Sequence, residues 1–169
     1  MEREKNPCLW CDCYDPDLGC TMSPLDKSYA CLLENREIHF FLQMVPPTVT
    51  QQEHKVTMRN GKPFFYEPME LKTARAKLRA YLSRHKPETP FQGAVRLTVR
   101  WIFPVKGKHR DGEYRTTRPD TDNLQKMLKD IMTELHFWKD DAQVASELVE
   151  KFWGNLPGIF VKIEDLSNG

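Results

Sequence analysis

The stretch from Val95 to Phe103 constrains the fold most, because apolar residues occupy every second position along it. A period of two predicts a β-strand with one buried face, and Pro104 predicts the end of that strand. The buried face would carry Val95, Leu97, Val99, Trp101 and Phe103. The opposite face carries Arg96 and Arg100, which suits either a solvent-exposed sheet surface or a surface that touches DNA.

Two segments show the period of an amphipathic helix. The first spans residues 69–84, and its apolar positions are Leu71, Ala74, Leu78 and Leu82. The second starts at Asp122, the predicted N-cap, and carries one apolar stripe. That stripe consists of Leu124, Met127, Leu128, Ile131 and Leu135. Asp122, Lys126 and Asp130 fall on the opposite face, a row that is typical of a solvated helix surface unless other charged groups join it.

Further strands are predicted at residues 38–44, 62–66, 144–152 and 159–163. A chain of 169 residues suits one domain with a small appendage. The pattern therefore predicts an α+β (mixed α/β) domain over residues 37–169, in which two main helices pack on a small mixed sheet. Residues 1–36 form a Cys-rich N-terminal extension.

All five cysteines lie in this extension: Cys8, Cys11, Cys13, Cys20 and Cys31. The Cys8-x-x-Cys11 spacing can chelate a structural Zn²⁺, with Cys20 and Cys31 as completing ligands. The spacing after Cys11 fits no standard zinc finger, which favours free or packed thiols in a reducing compartment, with structural zinc as the alternative. Both interpretations stay open.

Charge is distributed unevenly along the chain, although the formal net charge is only +1. Residues 1–34 contain seven acidic and three basic side chains, a net charge of −4. Residues 96–118 contain seven basic and two acidic side chains, a net charge of +5. A local basic stripe indicates a polyanionic partner better than the overall balance does. Most of this stripe falls in a flexible loop after Pro104 that contains Gly107 and Gly112. The predicted DNA-binding residues of this basic loop are Lys106, Lys108, Arg110, Arg115 and Arg118.

The chain begins with a charged stretch, residues 1–5, that lacks the apolar core of a secretory signal. The longest apolar stretch, residues 38–45, is far too short to cross a bilayer. We therefore expect a soluble, cytoplasmic protein without a membrane partner.

Acidic residues cluster at two places, Asp120 with Asp122 and Asp140 with Asp141. Such clustering costs free energy unless a cation occupies the site, and a hard divalent ion carrying a phosphate is the natural occupant. The helix between the pairs would be ~20 Å long, and the six residues from 136 to 141 span about 20 Å when extended. The return of Asp141 to Asp122 is thus feasible but tight, and a site completed by another subunit is the alternative.

Residues 118–126, Asp130 and residues 137–144 together resemble the signature of RusA-type Holliday junction resolvases, the phage-type crossover-junction endodeoxyribonucleases. The resemblance covers the order and spacing of both acidic pairs, the intervening Lys126 and the Trp138 before the second pair. It extends over about residues 38–164, while the Cys-rich extension lies outside it.

The resemblance implies a mixed α/β homodimer that binds a four-way DNA junction and nicks two opposing strands in recombination and repair. It implies Mg²⁺ or Mn²⁺ held by Asp120, Asp122 and Asp141, with Lys126 as a further catalytic residue. Asp130, Asp140 and Asn123 are assigned supporting roles, such as orienting waters, Lys126 or the turn.

Two other classes of protein remain as alternatives. One is a non-catalytic DNA-binding accessory protein, stapled by zinc, in which the acidic cluster is structural. The other is a related nuclease that prefers flaps or other branched DNA. An aspartyl-phosphate-forming phosphohydrolase fits poorly, because no apolar strand directly precedes Asp120.

Overall fold

The computed structural model describes residues 14–15, 19–20, 36–49, 55–59, 62–66 and 68–167. The chain divides into two compact units, Met1–Arg36 with Asn168 and Glu37–Ser167 with Gly169. In the first unit, β1 (Tyr14–Asp15) pairs antiparallel with β2 (Gly19–Cys20). The predicted zinc site lies outside the described residues, apart from the backbone of Cys20.

The second unit is built around a four-stranded sheet. Its strands are β3 (Glu37–Leu42), β6 (Val95–Pro104), β7 (Val144–Gly154) and β8 (Gly158–Asp165). Their order across the sheet is β3-β8-β6-β7, with β6 and β7 parallel and the other pairs antiparallel. A separate hairpin joins β4 (Lys55–Arg59) to β5 (Lys62–Tyr66). The predicted turn at residues 60–61 lies outside the described residues.

Two α-helices lie in the described part of this unit, α1 (Met69–Leu82) and α2 (Thr121–Glu134). A 3₁₀ turn (Ser83–His85) extends α1, and another 3₁₀ turn (Asp141–Gln143) precedes β7. One face of the sheet and the apolar stripes of both helices form a single hydrophobic core. The mixed α/β fold that the sequence predicts is therefore confirmed, and no described helix is both long and apolar enough to cross a membrane.

The predicted burial pattern of β6 and α2 is confirmed. Val95, Leu97, Val99, Trp101 and Phe103 are buried, as are all five residues of the predicted α2 stripe. The predicted N-cap of α2 is wrong, because Asp120 takes that position and Asp122 lies in the first helical turn.

The second face of the sheet carries paired charges. The Arg100 guanidinium lies 2.8 Å from the Glu150 carboxylate, and Arg96 Nε donates to Ser146 Oγ at 3.3 Å. Lys162 bridges two carboxylates on the same face. Both arginines have partners within the sheet, but exposed pairs of this kind are weak, so the choice between a solvent-exposed sheet surface and a DNA-contacting one stays a prediction.

Candidate active site

One cleft of ≈ 460 Å³ contains Asp122, Lys126 and Asp141. Asp122 and Lys126 lie one turn apart on α2, and Asp141 begins the 3₁₀ turn that leads into β7. All three side chains are exposed to solvent. No hydrogen bond or ion pair with another described residue engages them, so their charges are available to a ligand.

The start of α2 leaves its acidic groups unused by the helix itself. Asp120 is the N-cap, yet its carboxylate makes no side-chain capping hydrogen bond. An aspartate at this position usually accepts a hydrogen bond from the first-turn amides, which contributes about 1 kcal/mol. Asp120 does not make that hydrogen bond. Its side chain is exposed and is not among the residues that line the cleft, whereas Thr121 and Asp122, which follow it, are.

The end of α2 explains how Asp141 returns to the cleft. His136 has a positive φ of 61°, its amide donates to Thr133, and the Phe137 amide donates to Met132 at 3.0 Å. This pair of hydrogen bonds is the Schellman arrangement, which reverses the chain directly after a helix. Phe137 and Trp138 are then buried in the core. The chain therefore reverses after α2, and Asp141 lines the cleft together with Asp122 of the same chain.

The two residues of the second acidic pair have different environments. The Asp140 carboxylate accepts a hydrogen bond from the Ala142 amide at 2.8 Å, and the Gln143 side chain accepts one from the Asp140 amide at 3.2 Å. These reciprocal hydrogen bonds form a capping box on the 3₁₀ turn. The Gln143 side-chain Nε2 also donates to the carbonyls of Phe91 and Gly93. Asp140 thus holds the turn that presents Asp141.

The other predicted supporting residues lie beside the cleft. Asp130 lines a neighbouring depression of ≈ 310 Å³ together with Asp140 and Asp141. Asn123 is half-buried in the first turn of α2. Asp141 lines both depressions, so the acidic surface continues from the cleft past Asp130.

Sequence reasoning missed three polar residues that also line the cleft. Gln125 is 2% exposed, and its side-chain amide donates to the Glu147 carboxylate at 2.9 Å. The Lys129 ammonium lies 3.4 Å from the same carboxylate. Glu147 pairs with buried Leu97 on the adjacent strand, so it lies on the core-facing side of β7. A charged residue at a core-facing position of a strand was the sequence signal that could have identified Glu147.

The predicted flexible basic loop is held along the edge of β7. The Gly112 amide donates to the Trp153 carbonyl at 2.9 Å, and the Trp153 amide donates to the Glu113 carbonyl at 2.8 Å. His109 stacks on Trp153 with ring centroids 4.6 Å apart. An edge strand exposes unpaired backbone groups, and this segment satisfies part of that edge.

The predicted DNA-binding residues of this loop fall into two groups. Lys106, Lys108, Arg110 and Arg118 are exposed. Arg115 is half-buried, with its guanidinium 3.8 Å from the Phe103 ring centroid and 4.7 Å from that of Trp153. Burial lowers the pKa of Arg115 below its ordinary value. Arg115 therefore serves the internal packing of the loop.

The donor set of the cleft suits a hard cation, because Mg²⁺ is often held by one or two carboxylates, with water and phosphate oxygens completing its coordination. Asp122 and Asp141 are such carboxylates, and Asp120 precedes them at the helix N-cap. Within the described ranges, no three His, Cys, Asp or Glu side chains are grouped closely enough to hold a metal ion alone. The residues therefore fit a cation that shares its ligands with water and a bound phosphate.

Comparison with known proteins shows which family the chain resembles. The family model described as "Endodeoxyribonuclease RusA" matches residues 45–164. The crossover junction endodeoxyribonuclease rusA of Lactococcus phage r1t is 36% identical over 110 residues, which cover 64% of this chain and 81% of that protein. The uncharacterized protein YqaN of Bacillus subtilis (strain 168) is 33% identical over 130 residues, which cover 70% of this chain and 91% of that protein.

Because the family model matches well over half of the chain, the chain belongs to the RusA family of endodeoxyribonucleases. The resemblance inferred from the two acidic pairs and the intervening lysine is confirmed at the level of the family.

Proposed function

We propose that the protein is a Mg²⁺- or Mn²⁺-dependent endodeoxyribonuclease that resolves four-way DNA junctions in recombination and repair. One observation carries this proposal: Asp141, which follows α2, lines the same cleft as Asp122 and Lys126 of α2, and the charged groups of all three are free. The name of the phage relative, a crossover junction endodeoxyribonuclease, supports the substrate class.

In the proposed site Asp122 and Asp141 would hold the cation within the cleft, and Asp120, which does not line it, would join them as a third ligand when cation and phosphate are bound. When bound, the metal ion supplies Lewis acidity and lowers the pKa of a water that can attack the phosphodiester. The Lys126 ammonium lies in the same cleft and offers a compact positive charge to a non-bridging phosphate oxygen. The Asp140 carboxylate does not ligate in this scheme, because it caps the turn that carries Asp141.

The DNA backbone would approach past the exposed part of the basic loop. Lys106, Lys108, Arg110 and Arg118 lie on the segment that leads into Asp120. Carboxylates that hold a metal repel DNA phosphates, and neighbouring cations offset that repulsion. A homodimer with twofold symmetry suits a substrate of similar symmetry, because one site then meets each strand of an opposing pair.

The test is cleavage of a synthetic four-way junction by the full-length protein, beside duplex and flap controls of the same arm sequence. Both strands of each opposing pair carry different labels, and each reaction runs with Mg²⁺, with Mn²⁺ and with a chelator. We expect paired nicks in opposing strands of the junction, only with metal, and little cutting of the duplex.

Each other outcome separates an alternative from this proposal. Preferential cutting of the flap identifies a nuclease for other branched DNA. Tight junction binding without nicks under any metal condition indicates a non-catalytic binding protein. Cutting that persists in the chelator removes the metal ion from the mechanism.

A further inference from the structure

A lysine on the sheet holds the backbone that leads into Asp120. Lys151 lies on β7 and pairs in register with buried Trp101, so its side chain lies on the core-facing side of the strand. Its ammonium donates to the Thr117 carbonyl at 3.0 Å and to the Pro119 carbonyl at 2.7 Å. The first of these carbonyls belongs to the third residue before Asp120, and the second belongs to the residue directly before it.

The half-buried position of this ammonium requires such partners. Taking a charged amine out of water costs free energy unless hydrogen bonds compensate it. Burial is the main cause that lowers the pKa of Lys151, the positive charge of Arg115 adds to it, and the negative charge of Asp120 opposes both. A charged residue kept under these conditions indicates that its two carbonyl contacts have a role beyond solubility.

Arg115 also binds the segment that leads into Asp120. Its amide donates to the Lys151 carbonyl at 2.9 Å, and its guanidinium donates to Thr117 Oγ1 at 2.9 Å and to the Arg118 carbonyl. Residues 117–119 are therefore bound to β7 through both side chains. Because Asp120 does not use its carboxylate as a helix cap, this attachment to the strand holds the acid in place.

We propose that Lys151 is a positioning residue for Asp120: by binding the carbonyls of Thr117 and Pro119, it fixes the backbone from which the Asp120 carboxylate reaches the cation. This inference rests on the proposed function, because it assigns Asp120 to the metal site. Lys151 itself touches neither the cation nor the DNA in this role.

Replacing Lys151 by an uncharged residue distinguishes a positioning role from a purely electrostatic one, because the two roles predict opposite changes in metal affinity. A positive charge near a cation site weakens cation binding, so a purely electrostatic Lys151 would make the Lys151→Met variant bind metal more tightly. A positioning Lys151 makes the same variant bind metal about 10-fold more weakly, which is the usual size of the effect of a group that orients a ligand.

The experiment is calorimetric titration of Mn²⁺ into the full-length protein without DNA, for the wild type, Lys151→Met and Lys151→Arg. Lys162→Met is the matched control, because Lys162 lies on the opposite face of the sheet and pairs with Glu37 and Glu164. We expect weaker Mn²⁺ binding only in Lys151→Met, with much of the affinity restored by the arginine, whose guanidinium can donate to both carbonyls. Junction cleavage should show a lower kcat with an unchanged KM.

Unchanged or tighter Mn²⁺ binding by Lys151→Met overturns the inference, and so does absence of Mn²⁺ binding by the wild type. If Lys151→Met does not melt cooperatively, Lys151→Leu, which also removes the donor to both carbonyls, is measured in its place under the same criteria. Failure of the proposed function shows separately: the wild type then cuts no junction, while the comparison of Mn²⁺ affinities still judges the position of Asp120.

Discussion

The two acidic pairs, each of which places one aspartate in the cleft, are held in opposite ways. At the first pair, Asp120 occupies a helix N-cap without capping, and the cations of Lys151 and Arg115 hold the preceding backbone from outside the helix. At the second pair, Asp140 caps its own 3₁₀ turn in a capping box with Gln143, and the next residue, Asp141, is left free.

This difference shows how a carboxylate is kept available for a ligand. A carboxylate that accepts backbone hydrogen bonds stabilises a turn, but its lone pairs are then engaged. At the second pair one acid caps the turn and its neighbour lines the cleft. At the first pair no acid caps, and the sheet provides the anchoring. At both acidic pairs, the group that holds the backbone is therefore different from the carboxylate that is left for a ligand.

The largest expected effect is the loss of junction cleavage when a cleft-lining aspartate of either pair is replaced. Asp141→Asn and Asp122→Asn should each lower junction cleavage by about 100-fold or more, because an amide removes the charge that holds the cation and supports the transition state. Junction binding should stay intact or strengthen, since repulsion of the DNA phosphates falls. Single-turnover cleavage and binding titrations measure the two quantities separately.

Asp140→Asn is the matched control for these variants, because it makes the same chemical change one residue from Asp141. Asparagine caps about as well as aspartate, so cleavage should stay within about 3-fold of the wild type. An equal loss of cleavage in Asp140→Asn and Asp141→Asn would contradict the division of roles within this pair.

A smaller effect is expected when the cap of the 3₁₀ turn is removed. Asp140→Ala should cost about 1 kcal/mol of stability, which lowers Tm by roughly 2–4 °C in a chain of this size. Because the turn then presents Asp141 less well, cleavage should fall by roughly 10-fold and need more metal for its half-maximal rate. Thermal melting and metal titration of the cleavage rate provide the check. A Tm loss with a normal metal requirement would show that the cap supports stability alone.

The smallest effects, on junction binding and on stability, are expected when two arginines of the basic loop are replaced in turn. Arg110→Gln should weaken junction binding a few-fold and reduce the slope of log affinity against log salt by about 1, as expected for loss of one phosphate contact. Arg115→Gln should instead lower the stability by about 1–2 kcal/mol, because its guanidinium stacks on Phe103 and Trp153. Binding at several salt concentrations and thermal melting distinguish them. If Arg115→Gln changed the salt slope and left Tm unchanged, Arg115 would belong with the DNA-contacting group.

Local periodicity was enough to predict most of the core. The alternation of Val95–Phe103 and the apolar stripe of α2 depend only on which residues share a face, and the structure buries both as expected. The two acidic pairs and Lys126 also identified the family, because their order and spacing are properties of the chain itself.

The partners of those residues could not be predicted from local pattern. Which aspartate caps and which stays free depends on hydrogen bonds that form only after α2 ends at Glu134 and the chain reverses. The roles of Lys151 and Glu147 depend on the parallel pairing of β7 with β6, a contact between segments about 50 residues apart. Sequence alone thus determined both α-helices, the strands of the four-stranded sheet, their buried faces and the acidic residues, although it missed β4. Tertiary structure decided which charges are engaged and which are free, because burial and pairing bring together groups that share no local periodicity.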